Sequence, residues 1–432
     1  MRRILTAAVA GLILTASIRA QTPAPAQTPV QVTAVRAGKL IDPETGTAAT
    51  NQVILVEGTQ IRNIGANLPI PAGATIVDLS DLTVLPGLVD AHNHLAMTVE
   101  PGSSLYVNYI TDSTALRAIQ AVANGLQMLS SGFTVVRDLG NAGNYADTAL
   151  RVAIERRWVP GPTIVNSGII IGGIGGQLSP TPEMAHDHDI VYPEYLDADT
   201  RDEIVKAVRK NILFGAKVIK ICVDCKPYGY SIDDMKLFVS EAANAGLKVA
   251  GHVQTREGAR RAIEAGVWSI EHWGPLDDEL HKMMAAKGLW RAGTETPPTA
   301  TRGSKESFER SIASIRNAYA NKVQMAFSTE GSYVPGVTRG EYAINVLQSF
   351  KAAGIPAAEI LKIMTINGYM ICDIDKQRGP LKPGFPADII AVRGDPLADI
   401  DALRSVQFVM KDGMVFKQNG VVMPEKFFHG RP

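Results

Sequence analysis

The sequence predicts an α/β fold, namely a (β/α)8 barrel of the TIM type with a small β-sandwich domain built from both chain ends. Between Leu85 and about Asp373, short β-branched runs alternate with helical patterns, which is typical of βαβ units around a parallel sheet. Eight such runs can be counted, the number that this barrel needs. Outside this region, both ends of the chain contain short strand-like runs separated by turn residues.

The eight predicted barrel strands are separated by helical segments. Two of these segments begin with capping boxes, Thr200-x-x-Glu203 and Ser231-x-x-Asp234. The predicted strands are Gly87–His92, Phe133–Asp138, Thr163–Asn166, Val218–Val223, Val249–His252, Ser269–His272, Leu289–Ala292 and Val323–Ser328.

The flanking β domain is predicted from residues 28–84 and 376–428, and the barrel from residues 85–375. Its first part contains the runs Gln31–Val35, Val53–Val56 and Ile61–Ile64. Its second part contains Asp388–Val392 and Val406–Met410. These runs are short and separated by turn residues, as expected of a small β domain.

Composition places the chain among ordinary globular proteins, with 432 residues, 46% hydrophobic and 20% charged. The formal net charge is zero, and it becomes −3 (40 basic against 43 acidic residues) when residues 1–26 are set aside. A nucleic-acid partner would require a clustered basic face, which the sequence lacks. We therefore expect a small-molecule substrate as the partner, and the sequence leaves a homo-oligomer open.

The first 26 residues are typical of a secretory signal peptide. Arg2 and Arg3 precede an apolar run of 15 residues, Ile4–Ile18, and a Pro/Ala/Gln-rich stretch. That run is short for a membrane span. Cleavage after Ala20 or Ala26 would give a periplasmic or secreted protein without a membrane anchor, and an uncleaved anchor is the alternative.

Three cysteines are too few for a disulfide scaffold. Cys222-Val223-Asp224-Cys225 forms a C-x-x-C, which is compatible with a redox pair, a small disulfide or half a zinc site. A second C-x-x-C is lacking in the sequence, which excludes a four-cysteine structural zinc site. We expect the pair to be packing residues near the site, with a disulfide as the less favoured outcome.

The most informative segment is Leu85–Leu95, an apolar run that ends in His92-Asn93-His94. Alternate residues of a strand share a face, so His92 and His94 are expected to point the same way. Two imidazoles at a strand end form half of a site for a borderline-soft divalent metal such as zinc.

The other residues with chemical character also lie at the carboxyl ends of predicted strands, where barrel enzymes assemble their active sites. Lys220 lies within an apolar strand, where an unpaired ammonium is costly. His252 ends the fifth strand, His272 ends the sixth, and Glu330 follows the eighth. Four of the eight histidines of the chain therefore converge on one end of the predicted barrel.

These motifs resemble the amidohydrolase superfamily, in the branch of imidazolonepropionase-like proteins and metal-dependent Xaa-Pro dipeptidases. The resemblance covers nearly all of the mature chain and includes the returning segment Gly379–Asp388. It implies two divalent metal ions, expected to be Zn²⁺, bridged by a carboxylated Lys220. The metal ligands that it implies are His92, His94, Lys220, His252, His272 and Glu330.

The implied lysine modification makes physical sense, because a carbamate is anionic and its two oxygens can bridge ions about 3.5–4 Å apart. Glu330 is the departure from the family, which has aspartate at this position as ligand and proton shuttle. Its additional methylene moves the carboxylate by roughly 1.5 Å, and about 1 Å of displacement can cost on the order of 100-fold in rate.

The resemblance thus implies an exported metal-dependent hydrolase that cleaves an amide bond in a small substrate such as a dipeptide, using a metal-bridged hydroxide. Lys220 and Glu330 are the expected catalytic residues. The alternatives are a hydrolase of N-acyl or carbamoyl amino acids or of lactones, and a catalytically weakened binding protein.

Weaker candidates lie in the loops. Gln177 follows a Gly-rich stretch where relatives often carry Gly-Gly-His, so we expect it to face the substrate. Lys226, Tyr228 and Tyr230 follow the fourth strand and could bind a substrate carboxylate, although loop surface is the simpler interpretation. The His186–Asp189 segment resembles a metal motif, but we expect a solvated loop there.

Overall fold

The structure is a computed structural model that describes residues 31–99, 103–178, 194–295, 297, 304–332 and 336–423. The predicted signal peptide and the His186–Asp189 segment lie outside these residues. Within them, no helix combines the length and the apolar character that crossing a membrane requires.

Strands and helices alternate through the middle of the chain, as the sequence predicts. The strands are β1 Val32–Asp42, β2 Thr47–Glu57, β3 Gln60–Ala66, β4 Thr75–Pro86, β5 Leu88–Asn93, β6 Phe133–Asp138, β7 Thr163–Asn166, β8 Ile170–Gly172, β9 Tyr195–Asp197, β10 Ile219–Cys222, β11 Val249–His252, β12 Ser269–Glu271, β13 Trp290–Ala292, β14 Gln324–Met325, β15 Ile389–Val392, β16 Val406–Lys411, β17 Met414–Gln418 and β18 Val421–Val422. The α-helices are α1 Leu105–Thr111, α2 Thr114–Ser130, α3 Ala146–Glu155, α4 Arg201–Leu213, α5 Ile232–Ala243, α6 Arg256–Ala265, α7 Asp278–Lys287, α8 Lys305–Ala320, α9 Arg339–Ala352, α10 Ala357–Met364 and α11 Ile366–Ile371.

The parallel strands form a three-stranded sheet, β5-β6-β7, and a seven-stranded sheet, β14-β13-β12-β11-β10-β8-β9. Each of the eight predicted segments overlaps one of these strands. The structure adds β8 and β9, which the sequence analysis does not predict. Their short runs lie in the connection after the third predicted strand, where the apolar signal is too brief to distinguish a strand from a loop.

Backbone hydrogen bonds also connect the two parallel sheets. Ala91 N donates to Phe327 O at 2.8 Å, and Glu330 N donates to His92 O at 2.9 Å. At the other side, Lys217 N donates to Asn166 O at 2.7 Å. These contacts place β5 beside the segment that follows β14, and the end of β7 beside the segment before β10.

A third sheet is assembled from both ends of the chain, in the order β18-β17-β16-β15-β4-β1-β2-β3. β4 is its central connection, since it pairs with β1 in parallel and with β15 in antiparallel fashion. The strands β1 and β2 are longer than the predicted runs. β4 matches none of the predicted runs, and it extends to Pro86, just before β5. A separate apolar core that includes Val35, Ile54 and Phe408 stabilises this sheet.

Local signals position the elements that carry the site. The capping boxes predicted at Thr200 and Ser231 are both present, at the starts of α4 and α5. β5 and β6 are buried at every residue, as is usual for parallel strands covered by helices. The polar residues at the ends of these strands are therefore held by a rigid apolar scaffold.

Candidate metal centre

The predicted pair of histidines lies at the end of β5, and both side chains are buried. Their ring centroids are 5.2 Å apart. The carboxylate of Glu330, which follows β14, lies between them. Its Oε2 is 3.1 Å from His92 Nε2, and its Oε1 is 3.5 Å from His94 Nε2. The carboxylate thus reaches both histidines despite its additional methylene.

A second pair of histidines is formed by neighbouring strands. His252 ends β11 and His272 directly follows β12. Their facing atoms, His252 Nδ1 and His272 Nε2, are 2.6 Å apart. The His92 and His272 rings are 5.2 Å apart, so the two pairs form one cluster. All four predicted histidines are therefore brought together.

Lys220, in the middle of β10, points into this cluster. Its Nζ is 3.5 Å from His92 Nε2, and the residue is 2% exposed. Burial lowers the pKa of this lysine to about 8, although Glu271 and Glu330 oppose the shift. Carbon dioxide reacts with the neutral amine of a lysine, and the lowered pKa makes that amine available near neutral pH.

The electrostatics of the site follow from burial and from the mixture of charges. Burial, together with the nearby Lys220 ammonium, lowers the pKa of His92 well below its ordinary value. Burial, and to a smaller extent the nearby His272, also lowers the pKa of His252 well below its ordinary value. Burial would raise the pKa of Glu330, but His92, His272 and His94 outweigh it and lower that pKa well below its usual range. The lowered pKa values of His92, His252 and Glu330 match the protonation states that metal ligation requires. Burial would also lower the pKa of His94, but the nearby Glu330 carboxylate outweighs it, so that pKa is instead raised.

The donor set fits a divalent metal. Ligand atoms of His92, His272 and Glu330 lie within 4.8 Å of one another. Glu330 Oε2 is shielded from solvent, yet it accepts no hydrogen bond among the described residues. A buried carboxylate oxygen without a donor is costly, and a cation in this cluster would offset that cost.

The sequence analysis missed Glu271, which contacts His92 on the side of the ring opposite the cluster. Its Oε2 lies 2.7 Å from His92 Nδ1, and its Oε1 accepts a hydrogen bond from Arg137 Nη2 at 2.8 Å. A proton on Nδ1 directed to this carboxylate leaves Nε2 free to face the cluster. Its signal in the sequence is the same as for Lys220, a charge within a short apolar strand.

His94 and the end of β5 are fixed by other buried groups that the sequence analysis also missed. His94 Nδ1 lies 2.9 Å from Gly140 O, which again leaves Nε2 facing the site. Asp90 accepts hydrogen bonds from Asn93 Nδ2 at 2.7 Å and from Thr329 Oγ1 at 2.6 Å. These bonds connect the first predicted barrel strand to the segment that carries Glu330.

Of the three predicted substrate-binding residues, Gln177 contacts a candidate metal ligand, whereas Tyr228 and Tyr230 bond to a neighbouring loop. Gln177 Nε2 lies 3.0 Å from His252 Nε2, and its Oε1 accepts from Tyr195 Oη at 2.8 Å, so Gln177 lies at the site. Tyr228 Oη donates to Asp199 Oδ1 at 2.8 Å, and Tyr230 Oη donates to Ala198 O at 2.9 Å. Both tyrosine hydroxyls therefore bond to the neighbouring loop, and their role towards a substrate stays a prediction.

Cys222 and Cys225 are joined by a disulfide in the structure, with their Cα atoms 5.7 Å apart. The expectation of two unbonded packing residues is therefore wrong. The C-x-x-C turn brings the two Cα atoms within the distance range of a disulfide, which the spacing allows but does not require.

Comparison with known proteins supports this geometry. Residues 83–416 match the Amidohydrolase family. The ochratoxinase of Aspergillus niger is 27% identical over 438 residues, covering 90% of this chain and 88% of the relative.

Two solved structures have a similar fold, and each alignment covers 90% of this chain and all of the other chain. One is a Xaa-Pro dipeptidase with bound methionine in the active site, with a TM-score of 0.78 and 28% identity. The other is a prolidase complexed with N-methylphosphonate-L-proline, with a TM-score of 0.77 and 25% identity. The family match spans most of the chain and includes every candidate ligand, so this protein belongs to the amidohydrolase family.

Proposed function

We propose that this protein is an exported hydrolase that uses two divalent metal ions, expected to be Zn²⁺, to cleave the amide bond of a small substrate such as a dipeptide. The observation that carries the proposal is the convergence of four histidines, Lys220 and Glu330 at the carboxyl ends of parallel strands. The similarity to a Xaa-Pro dipeptidase and to a prolidase favours a substrate with a free carboxylate.

The ligands divide into two groups. His92, His94 and Glu330 would hold one ion, and His252 and His272 the other, with Lys220 between them as a carbamate. A carbamate on Lys220 would supply anionic oxygen ligands, whereas the free ammonium would repel the ions. When bound, such ions polarise the scissile carbonyl and lower the pKa of the attacking water.

Glu330 is the proposed proton carrier. Its carboxylate is ionised at neutral pH, because the surrounding histidines lower its pKa. It would accept a proton from the attacking water as the new carbon–oxygen bond forms, and deliver that proton to the nitrogen as the carbon–nitrogen bond breaks. Because both oxygens lie within 3.5 Å of a histidine, the longer side chain remains within reach of the reacting groups.

We further infer a closed (β/α)8 barrel flanked by a β-sandwich domain. Support comes from the backbone hydrogen bonds between β5 and the segment after β14, and between the segment before β10 and the end of β7. Export, with a periplasmic or secreted destination, is proposed from the charged and apolar start of the chain.

Turnover across a library of dipeptides and N-acyl amino acids, with and without a chelator, tests the function. We expect hydrolysis of at least one dipeptide, its loss with the chelator and its return with Zn²⁺. Hydrolysis restricted to N-acyl or carbamoyl amino acids or to lactones would select the alternative hydrolase. Binding without turnover of any substrate would select the binding protein.

A further inference from the structure

The C-x-x-C turn places two sulfur atoms beside one of the candidate metal ligands. In the parallel pairing of β10 with β11, Cys222 is the register partner of His252. Adjacent strands are about 4.8 Å apart, so the two side chains leave the sheet side by side. One ligand atom from each of Cys222, Cys225 and His252 lies within 4.8 Å of the others.

This turn is anchored to the segment that carries His252. Asp224, between the two cysteines, accepts hydrogen bonds from Gln254 N at 2.8 Å and from Thr255 N at 2.8 Å. Its Oδ2 also accepts from Thr255 Oγ1 at 2.6 Å. Val223 N donates to His252 O at 3.0 Å. The relative positions of the three ligands therefore do not depend on the bond between the sulfur atoms.

The C-x-x-C spacing is compatible with two chemical states of the cysteines, a disulfide and a pair of metal-binding thiolates. With the sulfurs joined, as in the structure, neither is a thiolate and neither is a strong metal ligand. Once reduced, two cysteines in a C-x-x-C together with a histidine form the ligand set of a three-ligand zinc site with an open fourth position. Cys222 is 2% exposed, whereas Cys225 is half-buried and therefore partly accessible to solvent.

We propose that reduction of the Cys222–Cys225 disulfide opens a further metal site, formed by Cys222, Cys225 and His252, for a thiophilic divalent cation. Reduction by a phosphine breaks the S–S bond, and one water supplies the oxygen of the phosphine oxide and the hydrogens of the two thiols. Cation binding then releases both thiol protons. Sulfur ligands select softer cations than the His/carboxylate cluster next to them.

The site also has a consequence for catalysis, which rests on the proposed function. His252 is assigned to the second catalytic ion, with Nδ1 facing His272. A cation held by Cys222 and Cys225 would compete for that imidazole. Reduction in the presence of excess cation is therefore expected to lower turnover, whereas reduction in a Cys225→Ser background is not expected to add a cation.

Cobalt titration of the purified, metal-loaded mature protein tests the proposal. One sample stays oxidised, and the other is treated with a phosphine that is removed before Co²⁺ is added. We expect one additional equivalent of cobalt in the reduced sample only, with a thiolate-to-cobalt charge-transfer band in the near ultraviolet. Cys225→Ser should abolish the band. The matched control Cys372→Ser, at the buried third cysteine, should retain it.

Alkylation of the reduced protein with iodoacetamide should also block the band, which requires no substitution and so does not depend on the variant folding. The absence of the band in reduced wild type, or its persistence in Cys225→Ser or after complete alkylation of Cys222 and Cys225, would overturn the proposal. Turnover by the oxidised protein is measured separately. A band in a protein without turnover would count against the proposed function alone, and turnover without a band against the thiol site alone.

Discussion

Replacing Glu271 with glutamine tests whether the buried carboxylate behind His92 sets the metal affinity. Glu271 is fully buried and offers one oxygen to His92 Nδ1 at 2.7 Å and the other to Arg137 Nη2 at 2.8 Å. The amide keeps the shape but replaces one acceptor by an NH₂ donor. If that donor faces His92, Nδ1 must accept, and the imidazole proton moves to Nε2, the atom that faces the site.

The expected loss can be estimated from these contacts. Substitution of a hydrogen-bond partner behind a metal-ligating histidine typically costs about 10- to 100-fold in metal affinity, or about 1.4–2.7 kcal/mol. Removing the charge beside Arg137 also weakens a buried ion pair. Breaking such a pair outright costs about 3–5 kcal/mol of stability, and the retained amide oxygen should keep the loss below that range.

Asp388→Asn is the matched control. Asp388 is 3% exposed and accepts from Arg378 Nη1 at 2.8 Å, so its substitution also removes a buried charge beside an arginine. Its described contacts include no histidine. Urea unfolding and competition with a chromophoric chelator should show a loss of stability in both variants, but a loss of zinc affinity in Glu271→Gln only. Equal zinc affinity in Glu271→Gln and wild type would refute the argument.

Four further predictions concern the proposed mechanism and export. Lys220→Ala should lose both metal stoichiometry and activity, with partial rescue by short carboxylates, and full metal occupancy in elemental analysis would contradict the bridging role. Burial lowers the pKa of Lys220 to about 8 and only the amine form reacts with carbon dioxide, so at a fixed concentration of dissolved carbon dioxide the reconstitution of the metal-free protein with zinc should accelerate as pH rises and level off above about 8. Glu330→Gln should retain the metals yet lose about 100- to 10,000-fold in turnover, while Glu330→Asp should be tolerated; full activity of the glutamine variant would place the base elsewhere. N-terminal sequencing of the mature protein should begin near Gln21 or Gln27, and recovery of intact protein from the cytoplasm would count against export.

Much of the candidate site could be predicted because its candidate ligands lie in or next to short strands. A short, continuous apolar run followed by a histidine predicts a buried strand with the histidine at its carboxyl end, as for His92 and His252. A charge within such a run, as at Lys220, identifies a buried group that needs partners. The same signal is present at Arg137 and Glu271, whose roles become clear only from their contacts with each other and with His92.

The residues that could not be predicted depend on contacts distant in sequence. Tyr195 reaches Gln177 only because β9 joins the edge of the seven-stranded sheet after a long connection. Asp90 bonds to Thr329, which is 239 positions away. The disulfide depends on the turn between Cys222 and Cys225, and the spacing alone is equally typical of a metal half-site.

Backbone conformation bears on whether Glu330 supports activity or marks a binding protein. Three non-glycine residues at successive strand ends of the site have left-handed φ angles, namely His272 at 75°, Thr294 at 52° and Glu330 at 61°. Such conformations cost on the order of 1–3 kcal/mol each and persist where the surrounding contacts impose them. Thr294 is β-branched, which makes its conformation a marked outlier, and its Oγ1 lies 2.8 Å from His272 Nδ1.

These contacts make the strained residues part of one arrangement. The backbone N–H of Glu330 donates to His92 O at 2.9 Å, while its carboxylate lies against His92 and His94. The backbone therefore holds Glu330 in the position from which its longer side chain reaches both histidines. A carboxylate held in this position can act as a metal ligand as well as a proton carrier, and the turnover of the Glu330→Gln variant distinguishes the two roles.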